Sequence, residues 1–445
     1  MEEYLKILME QIRCKKAHPY IRQEIQGHMA DQIEANLMDG MTDKEAEEAA
    51  VKDMGNPVEV GISLDRIHRP AFAWGMVGLM AVISIAAIVI QQILWNQMGE
   101  NAIGSSHFMV YTIIGFLLML LVYYVDYSMI ARYSKLIAGL FLGICILGLW
   151  KGQTIHGFTY YLQIGGINIP LASLLILYVP IYAAVIYKYH GKGYGALIKS
   201  LCWMIIPTWI AFRLPSISLA MLLLVSMSVV LTVALAQDWF RVAKKRVIAA
   251  LWICEIGFPI VSLFCALLFG ALADYQVARI QAFINNSGDA NYTTNQLRTI
   301  LSSSQMVGNS GKDLTECLPS FNSDFILSYV FSTYGLLIVT VICCILGVLI
   351  VKIFSISFRQ KNQLGMCMGC GCGTILLLNT VANVGECMGC LPITQTFLPF
   401  FSTGGGNIIV CYVLMGIILS IYRYKNVYPA HVDTKLPRFK MTIDL

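Results

Sequence analysis

Charge is what this sequence has least of. Asp, Glu, Lys and Arg make up 13% of the 445 residues, against 57% hydrophobic. Soluble globular chains carry about 25% charged residues, so that class is excluded. Strict apolar–polar alternation is also missing. The long apolar runs are continuous, which excludes a β-barrel and leaves helices. A cleavable leader is not expected, because the first apolar run follows about seventy polar residues. The net charge of +5 is too small to point to a nucleic acid; in a membrane chain it records basic loops. What is present is window after window reaching the ~20 apolar residues that cross a bilayer. The expected fold class is all-α: a polytopic helical membrane protein of about ten transmembrane helices with a small N-terminal soluble helical domain.

Residues 1–66 are charged and helix-patterned. Glu2 to Lys16 reads as one helix and Tyr20 to Met38 as a second, closed by Gly40. Thr42 and Glu45 have capping-box spacing for a third helix ended by Gly55. Pro57 is placed to start a fourth. His18, His28 and His68 read either as metal ligands or as solvated helix faces, and their spacing is not ligand-like. Apolar segments follow at 71–95, 107–125, 134–150, 168–187, 196–213, 215–236, 247–273, 324–353, 371–389 and 404–422.

Basic residues collect in alternate loops: Arg132 and Lys135; Lys188, Lys192 and Lys199; Arg241 to Arg246; Lys352, Arg359 and Lys361; Arg423 and Lys425. The positive-inside rule then places both termini in the cytoplasm and the large loop 274–323 outside. Arg279, Arg298 and Lys312 in that loop are exceptions, read either as contacts for an anionic lipid head group or as scattered surface charge.

Asp324 stands where this polar loop turns into the eighth apolar run. A carboxylate at the water–lipid seam stays solvated while facing a membrane-held substrate; in hydrocarbon its charge would be costly. The alternative is a helix N-cap. In the ninth run Asn379, Asn383 and Glu386 share one helical face, either as a polar groove or as interhelix hydrogen bonds. Glu255 is a second acid inside an apolar run.

Cys367-x-x-Cys370 and Cys387-x-x-Cys390 have zinc-ribbon spacing. A helical span between them would hold the pairs roughly 25 Å apart, too far for one zinc. Cys317, Cys387 and Cys390 all fall on the outer side, where a disulfide among them is open. Pro392 and Pro399 break any helix across 390–404. Broken backbone at membrane depth is tolerated where it is buried in protein or lines a cavity. Gly404 to Gly406 then read as a turn, or as a helix start whose N–H groups can bind phosphate.

The stretch "NVGECMGCLPITQTFLPFFSTGGGN" resembles the "NIGxxxGLLPxTGxPLPFxSYGGSS" motif of the SEDS family (shape, elongation, division and sporulation), the FtsW/RodA/SpoVE proteins of bacteria. Asn383, Gly385, Gly389, Leu391, Pro392, Thr394, Leu398, Pro399, Phe400, Ser402, Gly404 and Gly405 match. Arg279 with "AFINN", Tyr292 and Gln296, and "LPSFNSDFIL" resemble the family's outer-loop blocks, so its Asp falls on Asp324. The resemblance covers about residues 70–445, and residues 1–66 resemble a permease prefix domain.

The resemblance implies a peptidoglycan glycosyltransferase of the cell membrane that polymerises lipid II, serving division, shape or sporulation beside a class B penicillin-binding protein. It implies a divalent cation (Mg or Mn). Asp324 would be the catalytic carboxylate, Arg279 and Gln296 would contact pyrophosphate or sugars, and Thr394, Ser402, Gly404 and Gly405 would bind substrate. Several family positions differ. Asn322 stands for a His, Ser332 and Thr333 for a Glu pair, "YYLQIGGINIPLA" lacks the block's Arg and Glu, and Leu214-Pro215-Ser216-Ile217 lacks an acid. These departures point to the alternative of a scaffold for the penicillin-binding protein, while the prefix domain and the polar intramembrane residues are what suggest a transporter.

Overall fold

A computed structural model of the chain describes residues 1–97, 103–155, 158–164, 167–214, 216–270, 277, 281, 292–303, 305–308, 322–392, 394 and 396–431. It divides into two compact units. Among the described residues, one holds 1–73 together with 360–363 and 421–431; the other holds those within 74–359 and 364–420.

The first unit contains four helices: α1 (Glu2–Glu10), α2 (His18–Met38), α3 (Asp43–Asp53) and α4 (Pro57–Ile67). α1 stops six residues before the expected Lys16. The Arg13 N–H turns to Asp65 Oδ1 (2.9 Å) instead of continuing the helical ladder. The capping box forms at Thr42 and Glu45, and Asn56 caps α4 through Val58 N–H. Leu5, Leu8, Ile21, Met29, Ala46 and Ala50 make the core. His18 bonds Ile12 O at 2.8 Å and His68 bonds Asn426 O at 2.7 Å, while His28 is exposed. The inter-span loop and the tail belong to this unit through side-chain-to-backbone bonds. Asn362 Nδ2 donates to Pro429 O (2.8 Å) and Gln360 Nε2 to Ile421 O (3.2 Å).

The second unit carries α5 (Trp74–Gln97), α6 (Ile103–Tyr124), α7 (Tyr127–Arg132), α8 (Ser134–Lys151), α9 (Leu171–Ile176), α10 (Tyr178–Tyr187), α11 (Tyr194–Arg213), α12 (Ile217–Ala236), α13 (Lys244–Leu268), α14 (Tyr292–Ser303), α15 (Ile326–Tyr334), α16 (Leu336–Phe358), α17 (Gln363–Cys387) and α18 (Gly405–Arg423). Among the described residues nine helices are long and apolar enough to cross a membrane, with Leu171–Tyr187 as a shorter apolar segment. The protein is a polytopic helical membrane protein. α10, α12, α17 and most of α18 lie inside, whereas α13 lies outermost.

Three expected spans differ in detail. The fourth is split at Leu177, because Pro180 lacks the N–H that would bond Ile176 O. The eighth starts at Leu336, not 324. Segment 305–306 reaches in and accepts from Leu336 N–H and Leu337 N–H, both at 3.2 Å. Gly335 turns the chain there with φ +86°, and a Cβ would meet Met306 O at 2.8 Å. The ninth begins at Gln363, earlier than 371. Before α9, three short strands β1 (Gln153–Ile155), β2 (Phe158–Ile164) and β3 (Ile167–Pro170) form an antiparallel meander in the order β1-β2-β3, with Ile164 paired to Ile167. The Cys367 and Cys370 pair lies at the start of α17 and Cys387 at its end, and Cys387 and Cys390 are free thiols, so no disulfide joins those two. Cys317 lies outside the described residues.

Candidate active site

The site grows from the last polar turn of α17. Asn379 turns its amide back onto Ile375 O of its own helix (2.9 Å) and bonds no other helix among the described residues. Asn383 and Glu386 face a loop instead. The fully buried Asn383 donates through Nδ2 to Asp324 O (2.7 Å) and to Thr396 O (2.8 Å). The Cys387 thiol is also directed at Asp324 O, at 3.5 Å. Glu386 accepts from Thr394 N–H (2.8 Å), Thr394 Oγ1–H (3.0 Å), Thr396 N–H (3.4 Å) and Thr396 Oγ1–H (2.8 Å).

From Met388 to Gly404 the described chain is non-helical, yet Thr396 to Ser402 is buried. Its backbone groups therefore need internal partners. Leu398 N–H bonds Ser402 Oγ (2.7 Å), and Phe401 O accepts from Gln91 Nε2 (2.8 Å). Phe400 sits at φ +69°, a costly region for a bulky residue, with its ring edge-on to Tyr412 at 5.3 Å. Gly404 has φ +138°, and a Cβ on Gly405 would lie 2.8 Å from the Tyr111 ring. Glycine is needed at both.

Residues 322–325 form a turn laid across this loop. Three consecutive carbonyls are held. Asn322 O accepts from Gln91 Nε2 (3.1 Å), Thr403 N–H (3.2 Å) and Thr403 Oγ1–H (3.1 Å). Ser323 O accepts from Ser402 Oγ–H (2.7 Å), and Asp324 O from Asn383. The Asp324 carboxylate itself is half-buried. It faces Ser323 Oγ at 3.3 Å, whose single proton is shared with Thr403 O at 2.7 Å. Burial, and secondarily the Glu386 charge, push the Asp324 carboxyl up to about 6, against the opposing Ser323 hydrogen bond. Its side chain caps nothing: α15 has Phe325 at its N-cap and no side-chain cap.

The structure thus brings together Asp324, Thr394, Ser402, Gly404 and Gly405. The Ser402 hydroxyl is bonded on both sides, and the Thr394 hydroxyl is directed at Glu386, so both side chains position the loop. Gln296 is half-buried on α14 and makes no hydrogen bond to this assembly among the described residues. Its neighbour Arg298 donates to Gly389 O at 3.1 Å. Arg279 lies outside the described residues. Sequence reading missed Gln91, buried at 1% exposure, whose amide joins turn and loop; a polar residue inside an apolar run was its one signal. It also missed Thr396. For the Mg or Mn implied by resemblance, the described residues of this site offer the Asp324 carboxylate, since donors reach Glu386, and among the described residues there is no cluster of three ligating side chains. That set does not make a cage for a resident divalent cation.

A helical membrane protein with a broken, buried loop held against a half-buried carboxylate is the class that fold and site define. The chain belongs to the FtsW/RodA/SpoVE cell cycle protein family, whose model matches residues 67–427. It is 24% identical over 318 residues to a probable peptidoglycan glycosyltransferase FtsW of Thioalkalivibrio sulfidiphilus, covering 67% of this chain and 76% of the relative. A probable FtsW of Enterococcus hirae is 32% identical over 125 residues, 27% of this chain and 32% of that one. The fold resembles a solved chain of a peptidoglycan synthase complex (TM-score 0.64, 19% identity, 79% of this chain and 98% of that chain). It also resembles the rod shape determining protein RodA of Thermus thermophilus (TM-score 0.57, 18% identity, 80% and 98%).

Proposed function

We propose that this protein is a peptidoglycan glycosyltransferase that polymerises lipid II, a disaccharide-peptide on undecaprenyl pyrophosphate, at the outer face of the bacterial cytoplasmic membrane. Asp324 is the general base. An acceptor sugar hydroxyl attacks the anomeric carbon of the donor, the new C–O bond forms, the bond to pyrophosphate breaks, and the hydroxyl proton passes to Asp324. The pyrophosphate leaves as a weak base, so one carboxylate suffices where glycoside hydrolases use two. A carboxyl with an affinity for protons near neutrality suits a base.

The observation that supports this reading most is local. The backbone around Asp324 is fixed at three successive carbonyls, while among the described residues the carboxylate keeps only a shared hydroxyl. A side chain so held by its surroundings yet left open is arranged to meet something else. The activity named for the FtsW relatives and the fold shared with a chain of a peptidoglycan synthase complex agree with it. The basic loops favour cytoplasmic termini, and a class B penicillin-binding protein is the expected partner.

Cells lacking the endogenous activity are complemented with wild type or Asp324→Ala. The variant is expected to reach the membrane and make no glycan strands. Full rescue would reject the catalytic role and favour a scaffold.

A further inference from the structure

The family motif leaves position 386 unspecified, and an acid stands there in this chain. Glu386 is wholly buried, and a buried carboxylate is costly unless its oxygens are bonded. Four donors reach it from residues 394 and 396, two N–H and two hydroxyls, the kind of set that an acceptor-only carboxylate fits. Three residues before it, Asn383 holds Thr396 O. One helical turn therefore fixes two N–H groups, two hydroxyls and a carbonyl of residues 394 and 396. The same amide holds Asp324.

We propose that Glu386 is a positioning residue for polymerisation: its carboxylate pins residues 394 and 396 to the end of α17 and so fixes the wall against which substrate meets Asp324. This rests on Asp324 being the base. Among the described residues, α17 presents Glu386 and the Cys387 thiol to Asp324. α5 presents the neutral Gln91, and the loop presents hydroxyls and backbone. Glu386 is thus the one charge acting on Asp324 there.

The test uses purified full-length protein, lipid II, and rate profiles against pH for Glu386→Gln and Glu386→Asp. Glu386→Gln loses acceptor capacity, so kcat should fall by about 10–100-fold, the scale of a misplaced reacting group. It also removes the charge that opposes ionisation of Asp324, so the acid limb of the profile should move to lower pH. Glu386→Asp keeps the charge; its acid limb should stay at the wild-type position with kcat partly restored. A purely structural role would not move that limb. Wild-type kcat and an unmoved limb in Glu386→Gln would overturn the proposal. If that variant does not fold, Thr394→Val with Thr396→Val keeps the carboxylate and removes both hydroxyl donors. It should lower kcat without moving the limb, and wild-type kcat there overturns the proposal. An inactive Asp324→Asn beside a fully active Glu386→Gln would sink this inference alone, whereas an active Asp324→Asn would sink both readings.

Discussion

Asn383→Leu probes the clamp most sharply, because one amide serves both halves of the site. The substitution keeps similar volume and removes the donor to Asp324 O at 2.7 Å and Thr396 O at 2.8 Å. A buried carbonyl that loses its partner costs about 1–3 kcal/mol. Hydrogen bonds between membrane helices measure nearer ~0.6 kcal/mol, since the unfolded state finds partners too. Asp324 O keeps the Cys387 thiol at 3.5 Å, a weak donor. The stability loss therefore belongs at the lower end, about 1–3 kcal/mol for the pair of bonds. The catalytic loss should be larger: a displacement of about 1 Å at a reacting group costs roughly 100-fold. The assay is polymerisation rate beside thermal unfolding of the purified protein. A modest drop in unfolding temperature with a large drop in rate is expected. A rate within about twofold of wild type would refute the claim that this amide places Asp324.

Asp324→Asn should unfold at a higher temperature than wild type at neutral pH. A carboxyl raised to about 6 in the fold contributes stability below its unfolded value of 3.8, and that contribution is lost as pH rises through about 6; the advantage of Asn should vanish in acid, and an advantage independent of pH would contradict this. The wild-type rate should fall as pH drops through about 6, as the base takes up its proton; a flat profile between pH 5 and 7 would contradict the assignment. Gly405→Ala places a methyl against the Tyr111 ring, so activity should fall, and a Tyr111→Leu second change should recover part of it; no recovery would point away from that contact. Gln360→Ala with Asn362→Ala removes two bonds to the 421–429 tail, which should then be cut faster in limited proteolysis.

Much of this was readable in the chain. Continuous apolar runs and few charges give the fold class directly, and Pro392, Pro399 and Gly404 mark a broken segment without any tertiary information. Asp324 stands out because an acid at the edge of an apolar run is rare. The clamp was less legible. Asn383 and Glu386 showed their shared face, but their partners are backbone carbonyls, N–H groups and hydroxyls of a loop, and nothing local encodes which of these meet. Gly335 inside an apolar run gave no sign that segment 305–306 would enter there and shorten the eighth span. The Gly-Gly pair between "YYLQI" and "INIP" is a hairpin signal in the sequence, hidden by the stretch's likeness to a family block.

The most direct measurement is lipid II polymerisation by purified wild type and Asp324→Asn, with the products sized as glycan strands. The wild type should build long strands and the variant none. Strands of equal length and yield from both would contradict the role given to this carboxylate.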